Sequence, residues 1–310
     1  MLNRILPVLT VIGAIFFLFV WWLFFSDASA PEKAPGVLDI EEWRLLVDDV
    51  PTETLPTAVH WLEIGSDMAP SFAVQAGAFH EPVAMSYNAL QIATPDGTII
   101  VGGAVDASTA EAMRQDEAVA RFDADAYSTL VFALLEAEIV MITHEHLDHI
   151  MAIARHPDPN TLAPALYFNS PQINALPRFV TGPMPALFKT LEPRLSGEVE
   201  VVAPGVVVVP AAGHTPGAQL IFIKLQNGQE MLLIGDTVWS MSNIVDLTTR
   251  PVLTQFVVFD PNEDRSAVKR QLRALHDLSK SEPDLVIIPS HDRKYINRLV
   301  ADGILIAGFL

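Results

Sequence analysis

Thr143-His144-Glu145-His146-Leu147-Asp148-His149 puts three imidazoles and the Asp148 carboxylate within six residues, His144 to His149. The stretch follows Glu138-Ile139-Val140-Met141-Ile142, a short apolar run of the kind that forms a buried strand. His144 and His146 stand two apart on extended chain, so they point to the same side. The pattern then turns helical, with a helix expected from Leu147 to Arg155. Asp148 and His149 therefore face the same cavity from another direction. Chargeable groups so crowded beside a buried strand need a cation to be tolerated. Imidazole and carboxylate suit Zn²⁺ and, less strongly, Mn²⁺ or Fe.

Three further residues downstream fit the same scheme. His214 lies in the turn Gly213-His214-Thr215-Pro216-Gly217. Asp236 follows an apolar strand in Ile234-Gly235-Asp236-Thr237, and His291 follows another in Ile288-Pro289-Ser290-His291-Asp292. An Asp at a strand end is as often a helix N-cap as a ligand. The combined pattern favours the metal role, because five of the nine histidines fall at expected strand ends in this one arrangement.

Around these motifs, short strands alternate with helices and hairpins. Strands are expected at Tyr87–Ala93 and Thr98–Val101, joined by the hairpin signal Asp96-Gly97. Further strands are expected at Ala165–Phe168, Glu198–Ala203, Val206–Pro210, Gln219–Leu225, Glu230–Ile234 and Leu285–Ile288, with Asn227-Gly228 as a turn. Helices are expected at Leu38–Val50, Ser108–Phe122 and Asp125–Ala137, and from Asp260-Pro261 to about Ser279. Residues 170–195, rich in proline and apolar side chains, read as an irregular insertion. The pattern is α+β: two packed sheets with helices outside.

The chain start is different in kind. Ile5 to Phe25 carry no charge and are almost wholly apolar, and about 20 such residues span a bilayer as a helix. Trp21 and Trp22 sit where an interfacial aromatic belt belongs. Arg4 precedes the run, whereas Asp27, Glu32, Asp39, Glu41 and Glu42 follow it. By the positive-inside rule the body is exported, giving a single-pass protein of the cytoplasmic membrane with a periplasmic or extracellular body. Ala28-Ser29-Ala30 also fits a cleavage site, which would release the body to the periplasm. The apolar run exceeds the ~7–15 residues of a signal h-region, which favours an uncleaved anchor. The expected organisation is an anchor or signal over 1–25, a linker and short helix over 26–56, and a catalytic domain over 57–310.

Composition narrows the partners. The formal charge of −18 repels phosphate backbones and argues against nucleic acid. With no cysteine there is neither a disulfide nor a thiolate ligand.

Taken in order, His144-x-His146-x-Asp148-His149, Gly213-His214-Thr215-Pro216-Gly217, Gly235-Asp236-Thr237 and Ser290-His291-Asp292 resemble the full signature of the metallo-β-lactamase superfamily, across about residues 59–295. The resemblance implies an αββα sandwich with two metals, most simply zinc, at one edge. It implies that His144, His146 and His214 hold one metal, that Asp148, His149 and His291 hold the other, and that Asp236 bridges them. Three departures stand out. Val101-Gly102-Gly103-Ala104-Val105 lacks an Asp often found there, leaving a supporting contact missing or to be taken over by Asp106. True β-lactamases usually have Cys or Ser where Asp236 stands. Lactonases similar to this chain carry Tyr where Trp239 stands, so no phenol is available at that position.

The expected activity is hydrolysis of an ester, lactone or thioester by metal-bound hydroxide, with Asp148 also orienting the nucleophile or carrying its proton. The partners are then a small acyl substrate and, through the first helix, the membrane. An exported β-lactamase and a single-iron dioxygenase are the alternatives of the same fold. Glyoxalase II is disfavoured, since its helical C-terminal domain has no counterpart after His291. Phe179, Met184, Leu187 and Phe188, with Trp239, Met241 and Ile244, either line an apolar acyl pocket or pack the core or touch the membrane.

Overall fold

Strand alternation builds this molecule. The computed structural model describes residues 2–114, 120–180, 182, 184–257 and 263–310. Its strands are β1 (Ala58–Ala69), β2 (Val83–Ala93), β3 (Thr98–Val101), β4 (Arg121–Phe122), β5 (Ile139–Met141), β6 (Glu200–Ala203), β7 (Val206–Pro210), β8 (Gln219–Lys224), β9 (Glu230–Gly235), β10 (Val286–Pro289) and β11 (Ile306–Ala307). One sheet runs β11-β1-β2-β3-β5, with β4 paired to β1; the other runs β10-β9-β8-β7-β6. Ile139 and Met141 of β5 pack between the sheets with Val206, Val208, Ile221, Met231, Leu233 and Ile288. Their neighbours in sequence point the other way: Val140 under one helical layer, Val207, Phe222, Leu232 and Ile287 under the other. β5, β7, β8, β9 and β10 thus have two buried faces, which is why they read as unbroken apolar runs rather than alternating ones.

The helices are α1 (Leu2–Phe25), α2 (Ile40–Leu46), α3 (Ser71–Val74), α4 (Ala107–Met113), α5 (Ala124–Glu136), α6 (Leu147–Ala154), α7 (Pro159–Leu162), α8 (Ser170–Phe179), α9 (Met241–Asp246), α10 (Val252–Val257), α11 (Arg265–Ser281) and α12 (Arg293–Ala301). Leu130 and Leu134 of α5 and Ile150 and Ile153 of α6 cover the first sheet. Trp43 of α2 and Leu272 and Leu275 of α11 cover the second. This is the αββα sandwich. Within it β3 pairs parallel to β5, and β9 parallel to β10. Parallel pairing sends the carboxyl ends of both strands to the same edge, so the segments after β5, β9 and β10 emerge together.

Several local expectations are corrected. The helix expected over Ser108–Phe122 ends at Met113, and Arg121–Phe122 form β4, paired with Gly65 and Ser66. Asp123 caps α5 through the Asp125 and Ala126 amides, which requires extended chain before it; residues 115–119 lie outside the described residues. No strand forms at Ala165–Phe168: Pro164 sits in a 3₁₀ turn, and Leu166 makes one isolated bridge to Val140. Residues 170–195 are not wholly irregular. Asn169 and Gln172 form a capping box for α8, whose first turn accommodates Pro171 because that amide has no intrahelical partner. Asp264, not Asp260, caps α11; Asp260 and Pro261 lie outside the described residues.

Within α1, Pro7–Phe25 is 19 residues long with mean hydropathy 2.5, and none of it is buried in the body. It is apolar enough to span a membrane or to serve as a signal sequence.

Candidate metal centre

Two close backbone approaches assemble the site. Gly235 ends β9 at φ +53, and a Cβ there would lie 2.9 Å from Thr143 Cβ. Only glycine lets the Asp236 segment come so close to the His144 segment. Gly103 packs on α6, where a Cβ would meet Ile153 Cγ1 at 2.7 Å. Its amide donates to His149 O at 2.6 Å, and the Met151 and Ala152 amides donate to Ala104 O and Gly103 O. The glycine-rich stretch therefore seats α6, which carries Asp148 and His149.

All seven sequence-selected side chains meet at this edge, in two groups. The ligand atoms of His144, His146 and His214 lie within 4.8 Å of one another, as do those of Asp148, His149, Asp236 and His291. Asp236 faces both. Its Oδ2 is 3.1 Å from His291 Nε2 and 3.8 Å from His144 Nε2 and His214 Nε2, while Oδ1 is 3.3 Å from His149 Nε2. Asp148 Oδ2 is 3.3 Å from His291 Nε2.

This donor set fits a divalent metal. His144 Nε2, His149 Nε2 and Asp236 Oδ1 are buried without a hydrogen bond. Such atoms are costly unless something binds them, and nitrogen and oxygen donors this close together suit a cation. The charges agree. Burial first, then the neighbouring His149, holds His144 well below the usual imidazole range, and burial with His214 does the same to His146. Both are ready as neutral ligands. Burial pushes Asp236 up, but His291, His144 and His149 outweigh it and hold the carboxyl well below its usual value. Burial would lower His291 too, yet Asp236 and Asp148 raise it to about 9.

Behind the ligands stands a shell of contacts that the sequence does not announce. His214 Nδ1 is 3.0 Å from Glu263 Oε1, which also accepts from Arg250 Nη2 at 2.7 Å. Burial opposes ionisation of Glu263, but Arg250 and His214 bring it down to about 2. Arg250 Nη1 donates to Asp236 O at 2.8 Å, although no basic residue is close to Asp236 along the chain. His291 Nδ1 is 2.7 Å from Ser86 O. Trp239 Nε1 donates to Asp236 Oδ2 at 2.8 Å, so an indole N–H occupies the place considered for a phenol. Glu145, buried between two ligands, accepts from Thr215 Oγ1 at 2.8 Å and from the Gly217 amide at 3.2 Å, tying the His214 turn to the His144 segment. Asp106 takes over no supporting contact. Its carboxylate accepts from Thr109 N and Ser108 Oγ and caps α4. Arg250 and Glu263 lie in loops without periodicity, where an acidic run reads as solvated surface; no local signal marks them.

Above the groups lies a cavity of ≈ 350 Å³ whose walls include Met85, Tyr87, Leu147, Phe179 and Trp239, with Asp148, Asp236 and His291 at its floor. Burial, then Asp148, pushes the Tyr87 phenol up, so it stays protonated. Of the residues considered for an acyl pocket, Phe179 and Trp239 line this cavity. Phe188 and Ile244 are buried in the core, Met184 packs against the core, and Met241 faces a different cleft.

The comparisons with known proteins agree with this geometry. A search of curated proteins finds no significant match. Among solved structures, the chain is similar to an N-acyl homoserine lactone hydrolase with N-hexanoyl-L-homoserine bound at its catalytic metal centre: 15% identity, 79% of this chain, 96% of that chain, TM-score 0.60. It is similar to a B. thuringiensis protein with N-decanoyl-L-homoserine at its active site: 15% identity, 79% and 96% covered, TM-score 0.60. A dizinc quorum-quenching lactonase matches at 13% identity, 77% and 89% covered, TM-score 0.51. At such identities the likeness establishes the fold alone. The model of the metallo-beta-lactamase superfamily matches residues 84–291, which contain all seven side chains of the two groups. The chain belongs to the metallo-β-lactamase superfamily, and it is a metal-dependent hydrolase.

Proposed function

We propose that this protein is a two-zinc hydrolase that opens an ester, lactone or thioester bearing an apolar acyl group. One observation carries the reading: a three-histidine group and an Asp/His group meet at Asp236, at the floor of an apolar cavity. The acyl homoserine products held by proteins of the same fold support it. In this reading His144, His146 and His214 would hold one zinc and Asp148, His149 and His291 the other, with Asp236 as the ligand they would share. Bound zinc supplies Lewis acidity and brings the pKa of water toward ~7.

The chain's own residues do the rest. Trp239 fixes Asp236 by its indole N–H, and Glu263 fixes the ring of His214. Phe179, whose ring centroid lies 4.7 Å from that of His146, and Leu147 shield the floor from water and receive the acyl chain. Asp148 has a side chain 13% exposed, against 2% for Asp236. Being the more open of the two, its carboxylate can also take a proton from the nucleophile and return it to the leaving oxygen or sulfur. Arg4 before the apolar helix and the acidic excess after it support an anchor with the body on the outer side.

Full-length protein in detergent, assayed for metal content and for turnover of lactones, aryl esters, thioesters and nitrocefin, tests the reading. About two zinc per chain with acyl turnover is expected. Turnover of nitrocefin alone, or one iron per chain, overturns it. Alkaline phosphatase fused after Ala34 should be active; activity of only a cytoplasmic reporter there rejects the topology.

A further inference from the structure

We propose that the cavity opens onto the lipid bilayer, and that the substrate is a long-chain acyl compound taken from the membrane leaflet rather than from water. This rests on the anchor and acyl-hydrolase readings above. The last turns of α1 do not dangle; their aromatic side chains pack on the body. Trp22 meets Phe256 at 6.1 Å between ring centroids, Phe24 meets Phe72 at 5.4 Å, and Phe25 meets Phe79 at 5.8 Å. Phe72 belongs to α3 and Phe256 to α10. These same short segments form the cavity wall: Pro70 and Ala73 flank Phe72, and Val257 follows Phe256. In each segment one residue faces the cavity while an adjacent one touches the anchor. The cavity mouth therefore lies one side chain away from the end of the membrane span.

Exposure supports the same face. Phe79 is 64% exposed, Phe256 59% and Val257 71%. Clustered apolar groups of this size left in water mark a contact surface, and here they continue the surface of the helix itself. Trp21 and Trp22 set the depth, since indoles favour the headgroup level. Side chains in ring contact with Trp22–Phe25 are then held at that level by geometry alone. The occupant is a lipid surface engaged by apolar insertion, because a chain of charge −18 gains nothing from anionic headgroups. A substrate with a long acyl chain partitions into that layer and meets the cavity without crossing water.

The absence of cysteine makes the test direct. Full-length, zinc-loaded protein is reconstituted in phosphatidylcholine vesicles as single substitutions Phe79→Cys, Phe256→Cys, Ile15→Cys and Asn227→Cys, each bearing an environment-sensitive fluorophore. Asn227 is exposed and lies at the end of β9 away from Asp236. Phosphatidylcholine with a nitroxide high on its acyl chain should quench the probes at 79, 256 and 15, and leave 227 unquenched. Quenching at 15 without quenching at 79 and 256 overturns the proposal, and no quenching at 15 removes the anchor beneath it. The double substitution Phe79→Asp with Phe256→Asp should lower kcat/KM about tenfold or more for a long-chain acyl lactone in vesicles, the scale of withdrawing one large apolar side chain from lipid. It should leave a short-chain soluble lactone unaffected. Equal loss on both overturns the membrane route. If the parent protein hydrolyses neither lactone, the acyl-hydrolase reading fails and the substrate half with it, while the quenching pattern still decides where the cavity sits.

Discussion

The two ligand groups differ in how they are held. His144, His146 and His214 are imidazoles only, nearly inaccessible and braced from behind: Thr143 Oγ1 lies 3.2 Å from His144 Nδ1, and Glu263, itself held by Arg250, backs His214. Asp148, His149, Asp236 and His291 mix carboxylates with imidazoles, and Asp148 borders the open cavity. Burial holds His144 and His146 neutral, and the group is braced before any metal binds. In the second, His291 lies between the Asp236 and Asp148 carboxylates, which raise it to about 9. A braced, neutral group suits a metal that stays in place, whereas a charged, open group suits the side where substrate enters and protons move.

The strongest way to break this comparison is Asp236→Asn, which touches both groups. On the two-metal reading, turnover should fall on the order of 10²-fold or more, and metal should bind more weakly on the His291 side. Two tightly held metals with near-normal kcat would make Asp236 a turn residue. Next is pH. His291, raised to about 9, carries a proton at neutral pH that a metal must displace. Affinity of the second group should therefore climb about tenfold per unit from pH 7 toward 9 and level off above. His144 and His146, held well below the usual imidazole range, are already unprotonated there, so binding through them should stay flat over that window and weaken only at a pH well below that range. Zinc titration against a chromophoric chelator reads both; parallel slopes would erase the distinction.

Glu263→Gln sharpens it from the other side. Loss of the carboxylate behind His214 should weaken metal at the first group by about 10–100-fold and spare the second. Equal weakening of both would show that the bracing is shared. Smallest is Trp239→Phe, which deletes the N–H on Asp236 Oδ2. A single hydrogen bond of ~1 kcal/mol implies about a fivefold drop in kcat with metal content unchanged. Loss of a metal instead would make the indole part of the metal's support.

Local chemistry explains what was legible in advance. The spacing of His144, His146, Asp148 and His149 places them together in the short turn after β5 and the first turn of α6. Hairpins at Asp96-Gly97 and Asn227-Gly228 need only their own residues. Arg121–Phe122 are different: two residues become a strand because β1 offers an unpaired edge, and no window of sequence contains that edge. Arg250 and Glu263 meet across a loop, and Ser86 reaches His291 from a strand far away in sequence, so neither pairing leaves a local trace.

The sequence by itself determined the residue types at the centre, the apolar strands, and a first helix greasy enough for a membrane. Each depends on side-chain chemistry and on a period of a few residues. Only the tertiary structure decided that Asp236 faces both groups, that His291 lies between two carboxylates, that Phe179 lines the cavity while Phe188 packs the core, and that the cavity wall shares α3 and α10 with the contacts of α1. Those outcomes are distances between segments far apart in sequence. They are set by the pairing of whole strands and the packing of two sheets, cooperative events to which every long-range contact contributes and which no single stretch of residues specifies.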